Sequence, residues 1–154
     1  MNIRRYQPGD AETVARLHER VLRDAGTDPD VIEHPDDIDD IRGEYLDTGG
    51  EFLVVEDGDD IVGMGGLRVD GDEAELYRMR VAIDRQGEGI GTMLLAALES
   101  AARERGVDLL FAQTADCQHK AVNFYPRNGY EQIDTFPRGE DMLIRYEKDL
   151  SAAD

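Results

Sequence analysis

The sequence predicts an α/β domain of the mixed α+β kind, one sheet covered by helices. Three observations predict it. The apolar residues Ile90, Met93, Leu94, Ala97, Leu98 and Ala101 recur at helical spacing and define one long helix. Two Asp-Gly pairs, Asp57-Gly58 and Asp70-Gly71, separate alternating segments and mark consecutive hairpins. The element order β-α-α-β-β-β-α-β-α-β-β joins an antiparallel meander to a strand-helix-strand-helix run, which suits a single mixed sheet.

The elements follow in order. Asn2 to Gln7 is a short strand, and Pro8-Gly9-Asp10 turns the chain, with Asp10 placed to cap a helix. Val14, Leu17 and Val21 give that helix its apolar stripe, to about Ala25. An acidic stretch from Asp28 to Asp40 leads into a second helix carrying Ile38, Ile41, Tyr45 and Leu46, which Gly49-Gly50 stops. Three strands come next: Glu51 to Glu56, Ile61 to Val69 and Glu73 to Ile83. The long helix runs from Gly89 to Arg105 and ends at Gly106. Val107 to Gln113 is an apolar strand of the buried type. A short helix, Lys120 to Asn128, stops at Gly129, and Tyr130 to Thr135 and Met142 to Lys148 are the last strands.

With 154 residues and 40 % hydrophobic composition, the chain is expected to form one domain over residues 1–154 with a real core. Its charge is lopsided. There are 35 acidic and 17 basic residues, a net charge near -18, and the only lysines are Lys120 and Lys148. Like charges repel within a compact state. At molar salt the Debye length falls to about 3 Å and that repulsion is screened. The composition is therefore read as halophilic. It offers no basic cluster for nucleic acid and no attraction to an anionic membrane surface. Cys117 is the only cysteine, so no internal disulfide is available. No apolar run of signal-peptide or membrane-spanning length occurs, and a cytoplasmic location is expected.

The chemistry lies in the turn before the long helix, Gln86-Gly87-Glu88-Gly89-Ile90-Gly91. A helix start exposes unpaired N–H groups and partial positive charge. Glycines let the backbone take φ > 0 and approach a ligand closely. Such a turn suits a phosphate or pyrophosphate. It is not a P-loop, since no Gly-Lys-Ser/Thr follows, and the spacing of Gly87, Gly89 and Gly91 is not that of the dinucleotide fingerprint.

The segment Val81 to Leu95 resembles the acetyl-CoA signature of the GNAT superfamily of N-acetyltransferases, Q/R-x-x-G-x-G/A, with Gln86, Gly89 and Gly91 at its three positions. The segment Ala121 to Tyr130 resembles the family's A-x-x-F-Y-x-x-x-G-F/Y. The likeness spans about Ile3 to Lys148 and implies a GNAT-like fold, a mostly antiparallel twisted sheet flanked by helices. It implies acetyl-CoA as co-substrate, with the backbone of Gln86, Gly87, Glu88, Gly89, Ile90, Gly91 and Thr92 on its pyrophosphate. Met79, Arg80 and Val81 would pair with the pantetheine arm, beside a bulge that opens a slot between the fourth and fifth strands. Tyr125 matches the family tyrosine that protonates the departing thiolate. Gln118 stands where the family often has an asparagine near the cofactor, and Pro126 is a second departure, expected to strain the short helix.

Glu75 matches a general base that some relatives carry on the fourth strand, acting directly or through water; Gln113 replaces the alternative Glu on the fifth. Period-two alternation puts Glu75, Tyr77, Met79 and Val81 on one face. His18 is expected to pack beside the first helix, and His119 and Cys117 lie near the Tyr125 helix. No His/Cys cluster has metal spacing, so no metal is expected. The predicted activity is direct transfer of an acetyl group to the primary amine of a small molecule or protein. The alternatives are an acyl-CoA-binding or regulatory module that has lost turnover, supported by Gln118 and Pro126, and an acidic structural adaptor. The implied partner is a small-molecule or peptide amine, contacted by 27–50 and 136–141; homodimerisation is allowed, nucleic acid and membrane are not expected.

Overall fold

The computed structural model describes residues 1–24, 40–116, 119–139 and 141–151. Seven strands form one sheet: β1 (Asn2–Arg5), β2 (Glu51–Asp57), β3 (Asp60–Asp70), β4 (Glu73–Val81), β5 (Leu109–Ala115), β6 (Glu131–Arg138) and β7 (Asp141–Asp149). Their spatial order is β1-β2-β3-β4-β5-β7-β6. Only β4 and β5 pair in parallel; every other pairing is antiparallel. The three described α-helices are α1 (Ala11–Asp24), α2 (Ile90–Glu104) and α3 (His119–Arg127). Among the described residues no helix is long and apolar enough to cross a membrane.

Cβ positions fix the faces. A Cβ on Gly65 would meet Leu98 and Leu94 of α2, whereas one on Gly66 would meet Tyr45 and Phe52. Helix α2 therefore covers one face of β2 to β4, and α1 packs on β3 and β4 from the other. Leu94, Leu95, Leu98 and Ala102 fill the α2 side of the core, and Val14, Tyr45 and Phe52 fill the α1 side.

One local expectation changes. Asp10 belongs to a 3-10 turn, Pro8–Asp10, that runs directly into α1. Its carboxylate reaches back to the Gln7 N–H (2.8 Å) and to Arg4 (2.8 and 2.9 Å), so it ties the turn to β1 and does not cap α1. Of the expected second helix, the described residues hold the end, a π-helical turn over Arg42–Leu46 after Ile41; Ile38 lies outside them.

Among the described residues each buried carboxylate has a cationic partner. Asp10 pairs with Arg4, Glu51 with Arg5 and Arg105, and Glu99 with Lys148. The uncompensated carboxylates among the described residues therefore lie outside the core, where salt screens them most. Melting temperature is expected to rise steeply from millimolar to molar KCl. A flat profile over that range would contradict the halophilic reading.

Candidate active site

Strands β4 and β5 pair only at Glu73–Leu109, Ala74–Leu110 and Glu75–Phe111, then separate. The cause lies in β4. Its register against β3 shifts between Met64 and Gly66, and Arg78 takes φ 57, the left-handed region that non-glycine residues avoid. One extra residue in a strand bends it and increases its twist. Gly65 makes room for the bulge, since a Cβ there would lie 2.6 Å from Met79 Sδ. The bulge also corrects the expected alternation. Tyr77 faces Gly66 and Arg80 faces Met64. Glu75, Tyr77 and Arg80 therefore share the Tyr45 face, while Met79 and Val81 turn to the α2 face.

The separation opens a cleft of about 1120 Å³, bounded by β4, the Gly-rich turn, α2, the end of β5 and α3. Ala82 N donates to Val62 O at 2.8 Å. By the alternation of an antiparallel ladder, the N–H and C=O of Val81 then point away from β3, into the slot. The Val81 carbonyl accepts from Gln86 Nε2 (3.1 Å), and the Met79 carbonyl from Arg80 Nη1 (3.0 Å).

At the mouth of the cleft the turn meets α2. Gly87 (φ 86) and Gly89 (φ 82) take left-handed backbone, with nothing within 4 Å of the position a Cβ would occupy. Gly91 is needed for a different reason: its Cβ would stand 3.0 Å from Phe124. The first bond of α2 runs from Met93 N to Gly89 O, and Gly89 provides no side-chain cap. Among the described residues the N–H groups from Gly87 to Thr92 have no backbone acceptor. The N–H of Gln86 is taken by Ile83 O, so the row of donors begins at Gly87 and Gln86 contributes its side chain. Arg85 tethers the turn to Asp57 (2.7 Å) and to Glu88 (3.1 Å).

Tyr125 is 6 % exposed, stacked on Tyr146 with centroids 5.6 Å apart and edge-on to Tyr130 and Phe124. Burial pushes its phenol up to about 12, and the nearby Arg80 charge opposes the shift. Pro126 is held inside α3 without breaking it. Proline has no N–H for the carbonyl four residues back; that carbonyl, of Val122, accepts instead from Tyr146 Oη at 3.5 Å. Behind Tyr130, the buried Glu99 accepts from Tyr130 Oη (2.8 Å) and Lys148 Nζ (3.1 Å), and Lys148 also donates to Asn128 O (3.2 Å). These bonds lock the end of α3 to α2 and β7.

Glu75 lines the cleft from the Tyr45 face of the sheet. Tyr77 Oη donates to its Oε1 at 2.8 Å. Desolvation raises its carboxyl above the ordinary value, opposed by the Tyr77 bond and by Arg145 and Arg68. Arg145 lies over the Phe111 ring at 3.8 Å, and Arg68 over Tyr77 at 4.8 Å.

The cleft thus brings together Glu75, Met79, Arg80, Val81, Gln86, Gly87, Gly89, Ile90, Gly91, Thr92 and Tyr125. Glu88 lies in the turn, held by Arg85. Gln118 and Cys117 fall outside the described residues, and His119 begins α3. His18 is 1 % exposed within the core. Among the described residues no cluster of His, Cys, Asp or Glu could hold a metal ion. The Tyr77–Glu75 bond, Tyr146 and the contact of Lys120 Nζ with Gln86 Oε1 are features of the site that the sequence did not single out. Alternation alone pointed to the first; the other two join segments far apart in sequence.

The fold and cleft define a class, and comparison with known proteins places the chain in it. The sequence profile described as the acetyltransferase (GNAT) family matches residues 14–130, and the chain belongs to that family. A GNAT-family acetyltransferase from Staphylococcus aureus Mu50 superposes with a TM-score of 0.85 at 25 % identity, covering 97 % of this chain and 99 % of that one. The fold is also that of an aminoglycoside 6′-N-acetyltransferase complexed with coenzyme A, with TM-score 0.78, 20 % identity, and coverage of 100 % and 99 %. The uncharacterized N-acetyltransferase YjcF of Bacillus subtilis is 34 % identical over 57 % of this chain and 61 % of its own length. The chain spans about half the length of the curated relatives it matches, 45 to 61 % among the first three.

Proposed function

We propose that the protein is an acetyl-CoA-dependent N-acetyltransferase that moves an acetyl group to a primary amine by direct attack. The observation that carries this reading is one cleft with a row of unpaired N–H donors at its mouth and both Tyr125 and Glu75 on its walls. The donors fit a pyrophosphate: they start a 15-residue helix with no acidic residue in its first turn, and the space over Gly87 and Gly89 is open. The bound co-substrate supplies an acetyl thioester. Met79, Arg80 and Val81 guide the pantetheine arm along the slot, and Gln86 releases the Val81 carbonyl as the arm pairs there.

Tyr77 holds Glu75 Oε1 and leaves Oε2 to take the proton of the amine, directly or through water. Tyr125 keeps its proton at neutral pH and delivers it from Oη to the leaving sulfur. A phenol near 12 is a weak acid for a thiolate. Arg80 already holds the phenol below what burial alone would give, and burial raises the thiol by the same cause, which narrows the gap. The rival reading, a binding module without turnover, rests on Gln118 and Pro126, and the second of these is accommodated by Tyr146.

Glu75→Gln tests the base. The raised carboxyl of Glu75 must be ionised to act, so wild-type activity falls as pH drops through a value above the usual carboxylate range. Glu75→Gln is expected to lose most activity at low pH, where the amine is protonated, and to recover partly as pH rises. Folding favours the protonated form of a group whose pKa it raises. Above that pKa the ionised Glu75 weakens the fold, so the variant should also melt higher at neutral pH. An equal loss at every pH would remove Glu75 from the role.

A further inference from the structure

The two longest stretches of the chain without an acidic residue are 117–130 and 89–98. One contains α3 and the other begins α2, and they meet at the mouth of the cleft through Gly91 and Phe124. In a chain with 35 acidic and 17 basic residues, carboxylates are absent from the two segments that flank the phosphate cradle. On α3, Lys120, Asn123 and Arg127 fall on one helical face, at i, i+3 and i+7. All three are exposed and line the cleft. Lys120 Nζ donates to Gln86 Oε1, which sets the ammonium beside the turn. Arg127 bonds only through Nε, to the Asn123 carbonyl at 3.3 Å, so its two Nη groups have no protein acceptor among the described residues. Of the acids near the turn, Glu88 and Asp57 are held by Arg85, while Asp84 is exposed on the far side of Arg85 in the sequence.

We propose that Lys120, Asn123 and Arg127 form a second anion subsite, beside the pyrophosphate cradle, that takes the ribose 3′-phosphate of coenzyme A and selects it over 3′-dephospho-CoA. The subsite rests on the CoA reading above. A phosphomonoester carries close to two negative charges at neutral pH. It offers three acceptor oxygens to the ammonium, the Asn123 amide and the fork of the arginine, which matches a phosphate bidentately. The surrounding surface is acidic and would repel the same group, so the acid-free ridge is where it can dock.

Calorimetry with CoA and 3′-dephospho-CoA, in enough KCl to hold the fold, tests this. The wild type is expected to bind dephospho-CoA about tenfold more weakly, a modest factor because the cations are solvent-exposed. In Lys120→Gln/Arg127→Gln, CoA affinity should fall to that of dephospho-CoA, whose own affinity stays put, so the ratio approaches one. Arg127→Lys keeps the charge but not the fork and should keep part of the selectivity. Wild-type selectivity should also shrink as KCl rises. Equal affinities for the two ligands in the wild type would overturn the subsite and leave the CoA reading standing, and the wild-type ratio decides this even if the double variant fails to fold. Equal loss of both ligands in a folded double variant would overturn it as well. Failure of the folded wild type to bind either ligand would overturn the CoA reading and the subsite with it.

Discussion

Gly89→Glu is expected to abolish CoA binding while the domain stays folded. Gly89 holds φ 82 with nothing within 4 Å of its Cβ position, so a side chain meets no clash. Left-handed backbone costs an L-residue about 1 to 2 kcal/mol, which a folded domain tolerates. The side chain then fills the space over the cradle and puts a carboxylate among donors arranged for phosphate. Loss of several charge-assisted bonds together with like-charge repulsion should weaken binding by at least about 10³-fold. Gly71→Glu is the matched control. Gly71 also has positive φ and open space, but it lies in the β3–β4 turn, so the variant shares the strain and keeps the affinity. Gly91 would be a poorer choice, because its side chain would press on Phe124 and disturb α3.

Tyr125→Phe is expected to lower kcat by about 10² to 10⁴, the usual worth of a positioned general acid. The KM for acetyl-CoA should barely move, since the proton is needed in the transition state and not for binding. Stability should hold as well. The ring keeps its contacts with Tyr146, Tyr130 and Phe124, and the Tyr125 hydroxyl has no protein hydrogen-bond partner among the described residues to leave behind. A drop in kcat with an unchanged melting temperature separates proton transfer from packing. Wild-type kcat would take the role from Tyr125 and give it to water or His119.

Particular residues show why parts of the site were legible in the sequence. Helix α2 was readable because its stripe from Ile90 to Ala101 repeats at 3.6 residues and Gly106 ends it, with observed limits within a residue of the expected ones. The turn was readable because left-handed backbone at Gly87 and Gly89 demands glycine, and that demand is written in the residue type. The bulge in β4 was not. Arg78 holds left-handed backbone with a side chain that carries no signal for it, so strict alternation placed Met79 and Val81 on the wrong face. Pro126 was visible as a departure, but its remedy, Tyr146, comes from a distant strand. Of the second helix only the end lies among the described residues, where the apolar spacing of Ile41, Tyr45 and Leu46 falls on a π-helical turn that apolar spacing alone does not distinguish from an α-helical one.

Amine-dependent release of free CoA from acetyl-CoA, measured on the wild-type protein in high KCl across a broad panel of primary amines, separates an acetyltransferase from a binding module. Release is expected to require an amine, to saturate with acetyl-CoA and to fall sharply in Tyr125→Phe. Tight CoA binding with no release on any amine would contradict the enzyme and leave a binding module in its place.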